Sequence, residues 1–491
     1  MIHPSEIMGA LAALAATGPV EVRENGARVA QLADFQYEAR AQGSGTLLHL
    51  WSAERTLARR VVRIAEQSAE RLVIEAEHFG RTKPDRLEFT AGGERPAARL
   101  TREQFRETFA ELLNAQFPDE EVVTLTASAD LEHSLSGRYT RALLKGRDAT
   151  WAVLAVGPSE SAAAVDAALT FGLLWMDYAR GRTKTGCFAG LRLFLPEGTG
   201  KLLAHRAKAL RASMNVEFYE LNAALGRARR VDANALGNVM TWLVARREVE
   251  GLLAAAAPQI EPIRRMAPDA IAANTLPATR EIALRYRGAD FARWHDGAIF
   301  FGLGDARRPL TQASKPELEK LVRSLVAHRH PAAQDLSHPL YRMQPERWLE
   351  TLVAADPGRI GARLDPRFLY TQVPAFAASD RGVIDLLGVT REGRLAILEL
   401  KAGEDIHLTL QAADYWLRVR WHQELGDLQR YGYFPGVELR PEPPLLFLVA
   451  PAIRFHPATT TLLPYLSAEI EIARVGLAEN WRRGLRVVLR Q

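Results

Sequence analysis

Three charged residues interrupt a stretch that otherwise reads as sheet core. In "VIDLLGVTREGRLAILELK" (Val383–Lys401), Asp385 breaks the first apolar run, and Glu399 and Lys401 break the end of the second. Residues two apart in a strand share a face, so Glu399 and Lys401 point the same way. If the two runs pair across the "TREGR" turn, Asp385 lies beside them. Carboxylates brought that close need a cation to be tolerable. Hard oxygen donors with open water positions suit Mg²⁺ or Mn²⁺ better than zinc. An adjacent ammonium could position or deprotonate a metal-bound water, or stabilise charge building on a phosphate. Together these groups suit metal-assisted phosphodiester hydrolysis. Taken singly, each has a plainer reading: an exposed i, i+2 pair at a strand end, and a turn cap.

Elements on both sides must hold these groups. A helix, "PERWLETLVAADP" (Pro345–Pro357), precedes the strand pair, and a second, "HLTLQAADYWLRVRWHQEL" (His407–Leu425), follows it. Strands "LLFLVAP" and "EIEIARVGL" close an α-β-β-α-β-β order. The same order is readable from "LTREQFRETFAELLNAQFP" (Leu100–Pro118) to "VEFYEL" (Val216–Leu221). The two regions overlay without a gap at an offset of 385 − 141 = 244 residues, so that Arg141 falls on Asp385, Ala155 on Glu399, Gly157 on Lys401 and Arg106 on Glu350. Apolar positions agree and charged ones do not. An internal duplication in which one copy keeps the acidic groups explains this; coincidence of two α/β patterns is the alternative.

The strand pair "VIDLL…LAILELK", with "ERWLE" before it and "QAADYW" after it, resembles the PD-(D/E)XK nuclease superfamily over about Pro345–Leu477. The resemblance implies a restriction-endonuclease-like α/β core that cleaves nucleic acid, DNA in the first place, with Mg²⁺ or Mn²⁺. It implies Asp385 and Glu399 as metal ligands, the Leu400 carbonyl as a third, and Lys401 as the catalytic lysine. Glu350 matches the acidic residue that often completes the metal site. Gln411 and Tyr415 match a Gln-x-x-x-Tyr element, and Gln372 in "YTQVP" a strand residue lining the cleft. Ile384 stands where the family's name has proline.

Composition agrees with a folded protein of several domains. The chain has 491 residues, 47% hydrophobic and 25% charged, too long for one ordinary core. The expected architecture is multidomain α/β: an N-terminal helix and β-rich module (1–97), a degenerate nuclease-like domain (98–230), a helical and β-hairpin connecting module (231–335) and the nuclease-like domain (336–491). Net charge is 63 − 58 = +5, which permits a polyanionic partner without requiring one. Arg418 and Arg420, Arg227, Arg229 and Arg230, and Arg59, Arg60 and Arg63 are the candidate phosphate contacts. A single cysteine excludes an internal disulfide framework and a Cys-based zinc site. A short helix capped by Ser5 and stopped at Gly18-Pro19 explains the N-terminus better than a signal peptide. No membrane span is expected, and the cytoplasm is the default. "LRLFLPEGTGKLL" (Leu191–Leu203) has the order of a phosphate-binding loop, but Leu195 and Leu202 stand where Gly and Ser/Thr are needed. The rival to a nuclease is a non-catalytic nucleic-acid-binding or assembly protein that kept the fold. The sequence is silent on oligomeric state; a homodimer would supply two cuts.

Overall fold

The computed structural model describes residues 3–491 apart from 19, 25–26, 33–35, 43–44, 52–55, 78–84, 92–101, 131, 183–186, 223–225, 233–242, 277–278, 305–306 and 378–379. The boundary expected at residue 97 therefore lies outside the described residues. The chain divides into two compact units, Met1–Phe109 with Ala127–Thr140, and Ala110–Thr126 with Arg141–Gln491. Each is mixed in secondary structure, and the chain as a whole is α/β with several sheets.

The first unit holds a seven-stranded sheet between Val20 and Ala91. Alternating burial along Asp85–Ala91 turns Leu87 and Phe89 inward. The helix Pro4–Thr17 buries Ile7, Leu11 and Leu14 in the same core. Its cap differs from expectation. His3, not Ser5, is the N-cap: its ring accepts the Ser5 N–H, and Glu6 accepts the His3 N–H. Pro4 at the first helical position starts the helix two residues earlier than a Ser5 cap would.

The second unit contains three sheets. One comprises β1 (Glu121–Thr126), β2 (Tyr139–Lys145, in this unit from Arg141), β3 (Ala149–Val156), β4 (Cys187–Pro196), β5 (Val216–Asn222) and β6 (Arg227–Arg230). Another comprises β7 (Leu364–Ala377), β8 (Asp380–Thr390), β9 (Leu395–Leu400), β10 (Leu445–Pro451), β11 (Ile472–Leu477) and β12 (Val487–Arg490). In both, spatial order follows chain order. Both also share their pairing: the third, fourth and fifth strands are parallel, while the outer pairs β1–β2, β5–β6, β7–β8 and β11–β12 are antiparallel. Each copy thus has an additional strand before and after those read from the sequence. Helix α1 (Arg102–Gln116) precedes the first sheet, α2 (Ala168–Arg182) follows β3, and α3 (Gly200–Arg206) follows β4. Their counterparts are α4 (Pro345–Ala355), α5 (Leu408–Glu424) and α6 (Pro457–Leu462).

The third sheet has five strands between Ile271 and Pro309. The helix before it runs from Arg246 to Arg264 through Pro258 and Pro262, where the sequence suggests a broken linker. Each proline forfeits one backbone bond; Ala256, Ile260 and Ile263, buried against Ile271, Ile282 and Leu284, offset the loss.

This sheet also anchors α4. The turn residue Gly288, at φ +82°, lies so close to the helix that a Cβ there would stand 2.3 Å from the Arg347 carbonyl carbon. Fully buried Arg329 donates to the carbonyls of Arg287, Leu340, Met343 and Gln344 at 2.6–3.3 Å. Its guanidinium lies 4.6 Å from the Trp348 ring centroid. These contacts fix the start of the helix that carries Glu350.

The turn between β8 and β9 has an equally strict requirement. Gly393 sits at φ +90°, and a Cβ there would come within 2.1 Å of the Glu438 carbonyl oxygen. Gly393→Ala is expected to cost about 1–3 kcal/mol, combining left-handed strain with a backbone clash. Chemical denaturation against the wild type measures it; an unchanged midpoint would contradict this account of the turn.

Candidate active site

Strand register brings the charged groups together. β8 and β9 pair Leu386 with Leu398, so one step further Asp385 comes abreast of Glu399 (386 + 398 = 385 + 399). β7 and β8 pair Thr371 with Leu386 and Val373 with Ile384, which sets Gln372 abreast of Asp385. Residues abreast in a sheet share a face, so Gln372, Asp385 and Glu399 form a row across three strands. Gln372 departs from ordinary strand geometry at φ +56°, a conformation costly for a side chain of this kind. Beneath the row, Trp348, Leu349 and Val353 of α4 pack with Leu386, Leu398 and Leu400, which directs Glu350 to the same sheet.

The carboxylates are in different states. Glu399 is 1% exposed, and its Oε2 has no hydrogen-bond partner. Burial, and then the neighbouring Asp385, hold its carboxyl well above the usual range. Half-buried Asp385 accepts the Leu400 N–H at 3.1 Å. Burial raises its carboxyl too, opposed by that N–H and by Lys401. Glu350 accepts from Gln372 at 2.7 Å and from Arg347 at 2.8 Å; burial lifts it to about 7 against the pull of Arg347 and Arg285. A buried carboxylate oxygen with no partner, beside a second carboxylate, is a strained arrangement, and a cation relieves it.

Lys401 is held on three sides. Its Nζ lies 3.4 Å from Glu399 Oε1 and 3.1 Å from Asp405 Oδ2, and donates to Gln411 Oε1 at 2.9 Å. Burial lowers its pKa, but Glu399, Asp405 and Asp385 outweigh that and raise it overall. Gln411 in turn donates to the Tyr415 hydroxyl at 3.2 Å, whose pKa burial and Glu399 push up to about 12.

Asp385, Glu399, Lys401, Gln411 and Tyr415 are therefore connected in space, with Gln372 and Glu350 alongside. Among the described residues, no three His, Cys, Asp or Glu side chains stand close enough together to hold a metal by themselves. The donor set is two carboxylates and backbone, with Glu350 turned to Arg347 and Gln372. Partnerless Glu399 Oε2 and the mutual repulsion of two raised carboxyls fit a hard divalent cation.

Arg418 does not fit its expected role. It is 3% exposed and holds Asp414 at 2.6 and 3.1 Å on α5, so it is an internal pair rather than a phosphate contact. Arg420 pairs with Glu424, Arg229 with Glu220, Arg230 with Glu217, Arg59 with Glu24 and Arg63 with Glu75. The Gly200 N–H, which a phosphate-binding loop would offer, is taken by Glu220 Oε1 at 3.0 Å. Sequence reasoning missed Arg347 and Asp405. The three-residue offset of Arg347 from Glu350 on α4 is an ordinary helical pairing distance, whereas Asp405 reaches Lys401 through the loop after β9, which spacing does not signal.

The raised carboxyls have a pH consequence. An acid whose folded pKa is raised holds its proton more tightly in the folded chain. The stability it confers is complete below its ordinary pKa and is lost as pH climbs to the folded value. For Glu350 the window runs from 4.5 to about 7, worth about 3 kcal/mol. Thermal unfolding of metal-free wild type and Glu350→Gln across that window should show the variant losing less stability as pH rises. Parallel curves would contradict the shift.

No protein-family model matches this chain, and no curated protein matches it. A repair endonuclease from Pyrococcus abyssi aligns at 13% identity over 45% of this chain and 96% of its own, with TM-score 0.18. An EndoMS–dsDNA complex aligns at 13% identity over 44% of this chain and 94% of its own, with TM-score 0.17. Superpositions this loose assign neither fold nor function. Among the described residues, no helix is long and apolar enough to cross a membrane.

Proposed function

We propose that the copy from Pro345 onward is a metal-dependent nuclease centre of the PD-(D/E)XK kind, acting on DNA as an endonuclease. The observation that carries this reading is the buried, partnerless Glu399 Oε2 abreast of Asp385 with an ammonium beside it. Asp385, Glu399 and the Leu400 carbonyl would hold Mg²⁺ or Mn²⁺, with Glu350 acting through water. Bound there, the ion would polarise the scissile phosphate and acidify a water molecule.

The chain's own residues do the rest. Lys401, charged throughout the working pH range, offsets negative charge developing on the phosphate. It is a poor proton acceptor, because its neighbours raise its pKa. Gln411 holds the ammonium in place, and Tyr415 holds Gln411. Gln372 and Arg347 fix the carboxylate of Glu350.

One observation favours a non-catalytic nucleic-acid-binding or assembly role instead: Glu350 is already engaged by Arg347 and Gln372. Incubating the purified chain with Mg²⁺ or Mn²⁺ and linear, circular, single-stranded and branched DNA separates the two readings. Cleavage that falls about 10²-fold or more in Lys401→Ala supports the nuclease; intact DNA in every lane overturns it.

A further inference from the structure

We propose that the two six-stranded copies form a dimer within one polypeptide, meeting about a pseudo-two-fold axis at Leu210 and Leu466, and that a duplex bound across them is cut in one strand per encounter. The second half of this proposal rests on the nuclease reading above.

The symmetry is visible in residue numbers. α3 runs into a 3-10 turn, Ala207–Ala209, before β5; α6 runs into a 3-10 turn, Leu463–Tyr465, before β11. The turns are related by 463 − 207 = 256, and the strands that follow by 472 − 216 = 256. This is 256 − 244 = 12 more than the offset between Arg141 and Asp385, so the gapless overlay expected from the sequence holds only as far as β3 and β9. Leu210 forms an antiparallel bridge with Leu466, and 466 − 210 is again 256. Each leucine therefore pairs with its own counterpart.

The bonds on either side are reciprocal. The Arg211 N–H donates to the Tyr465 carbonyl at 2.9 Å, and the Ser467 N–H to the Ala209 carbonyl at 2.8 Å. Adding 256 to Arg211 gives Ser467, and subtracting it from Tyr465 gives Ala209, so each bond maps onto the other, as an antiparallel bridge centred on two counterparts requires. The helices repeat the exchange: α2 packs on α6, and α5 packs on α3. When residue i meets j and the counterpart of j meets the counterpart of i, the interface is isologous, the kind that joins two-fold dimers.

The interface is also a packed one. Leu210, Leu466, Ala209, Tyr465, Leu203 and Leu462 are all buried. Its polar contacts differ between the halves, as expected of copies that have diverged: the Tyr465 hydroxyl donates to Asp177 at 2.6 Å, and Arg206 reaches Asp414 at 3.5 Å. The surface through which a second subunit would dock is occupied by the other half of the same chain.

The halves are unequal in chemistry. At the places of Asp385, Glu399 and Lys401 the first copy has Arg141, Ala155 and Gly157, which offer no carboxylate to a metal. Only the second copy keeps groups that could hold a metal and hydrolyse, so one binding event would cut one strand.

Two measurements on the full chain test this. In a Cys187→Ser background, oxidation of Leu210→Cys with Leu466→Cys should close an intramolecular disulfide, read as the loss of both free thiols in a monomer. Free thiols, or disulfide-linked dimers, in a variant that unfolds like wild type would overturn the internal interface. Wild-type mass on DNA needs no variant: one chain of 54.4 kDa per duplex is expected, and two chains would overturn it. In the second measurement, supercoiled plasmid with Mn²⁺ should give open circles first and linear DNA only from a later, independent nick. Linear DNA as the first product would overturn the one-strand claim. No cleavage at all would defeat the nuclease reading and the one-strand claim with it, while the thiol and mass results still decide the internal dimer.

Discussion

Replacing Glu399 with Gln is expected to abolish the proposed metal-dependent cleavage and, at neutral pH and above, to make the metal-free protein more stable rather than less. The second effect distinguishes a site residue from a structural one. Glu399 is fully enclosed, one of its oxygens has no partner, and burial together with Asp385 lifts its carboxyl well above the ordinary value. Ionising it in the folded chain therefore costs about 1.4 kcal/mol for every unit of that lift. Gln keeps the shape and removes the charge. Lys401 loses one neighbour at 3.4 Å but keeps Asp405 and Gln411. The stability gain should grow as pH rises from the ordinary glutamate range toward the raised value, because the wild type loses stability over that window and the variant does not. Thermal unfolding of the metal-free proteins at several pH values measures it. A variant less stable than wild type at every pH would mean that Glu399 serves the fold.

Lys401→Ala has the opposite effect on stability and the same effect on activity. Removing the ammonium leaves buried Glu399 and half-buried Asp405 without their shared cation, which costs about 1–3 kcal/mol. Cleavage should fall about 10²–10³-fold, the usual consequence of deleting one group that meets developing charge. Because Lys401 remains protonated, the wild-type pH–rate profile should rise once as the carboxyls ionise and then stay level to about pH 10. A second rise near the lysine range would instead identify Lys401 as a base. Both variants remove activity and move stability in opposite directions, a pattern that generic unfolding does not produce.

Much of the site was legible in the sequence because its signal is local. Asp385, Glu399 and Lys401 stand out as charges inside apolar strands, and one short turn forces them into register. Gln411 and Tyr415 lie one helical turn apart, so their contact follows from spacing alone. What escaped was long-range or contrary to local preference. The sequence marks Gln372 only as a residue lining the cleft; its left-handed backbone and its bond to Glu350 depend on β8 lying alongside. Arg418 reads as a surface charge until α5 is packed and its fork closes on Asp414. β12, at four residues, is too short for its alternation to stand out as a strand. The helix through Pro258 and Pro262 survives because its apolar face is buried, which no window of sequence reports. Leu210 and Leu466 belong to no periodic pattern; only the folded chain brings them together.

The most direct test of the central claim is calorimetric titration of the metal-free chain with Mn²⁺, beside Glu399→Gln. Binding requires ionised carboxylates, so the wild type should take up one site's worth of metal per chain, release protons on binding, and bind more tightly as pH rises. Glu399→Gln should show none of this while remaining folded. No heat from the wild type, or the same heat from the variant, would contradict the assignment of Asp385 and Glu399 as a metal-dependent centre.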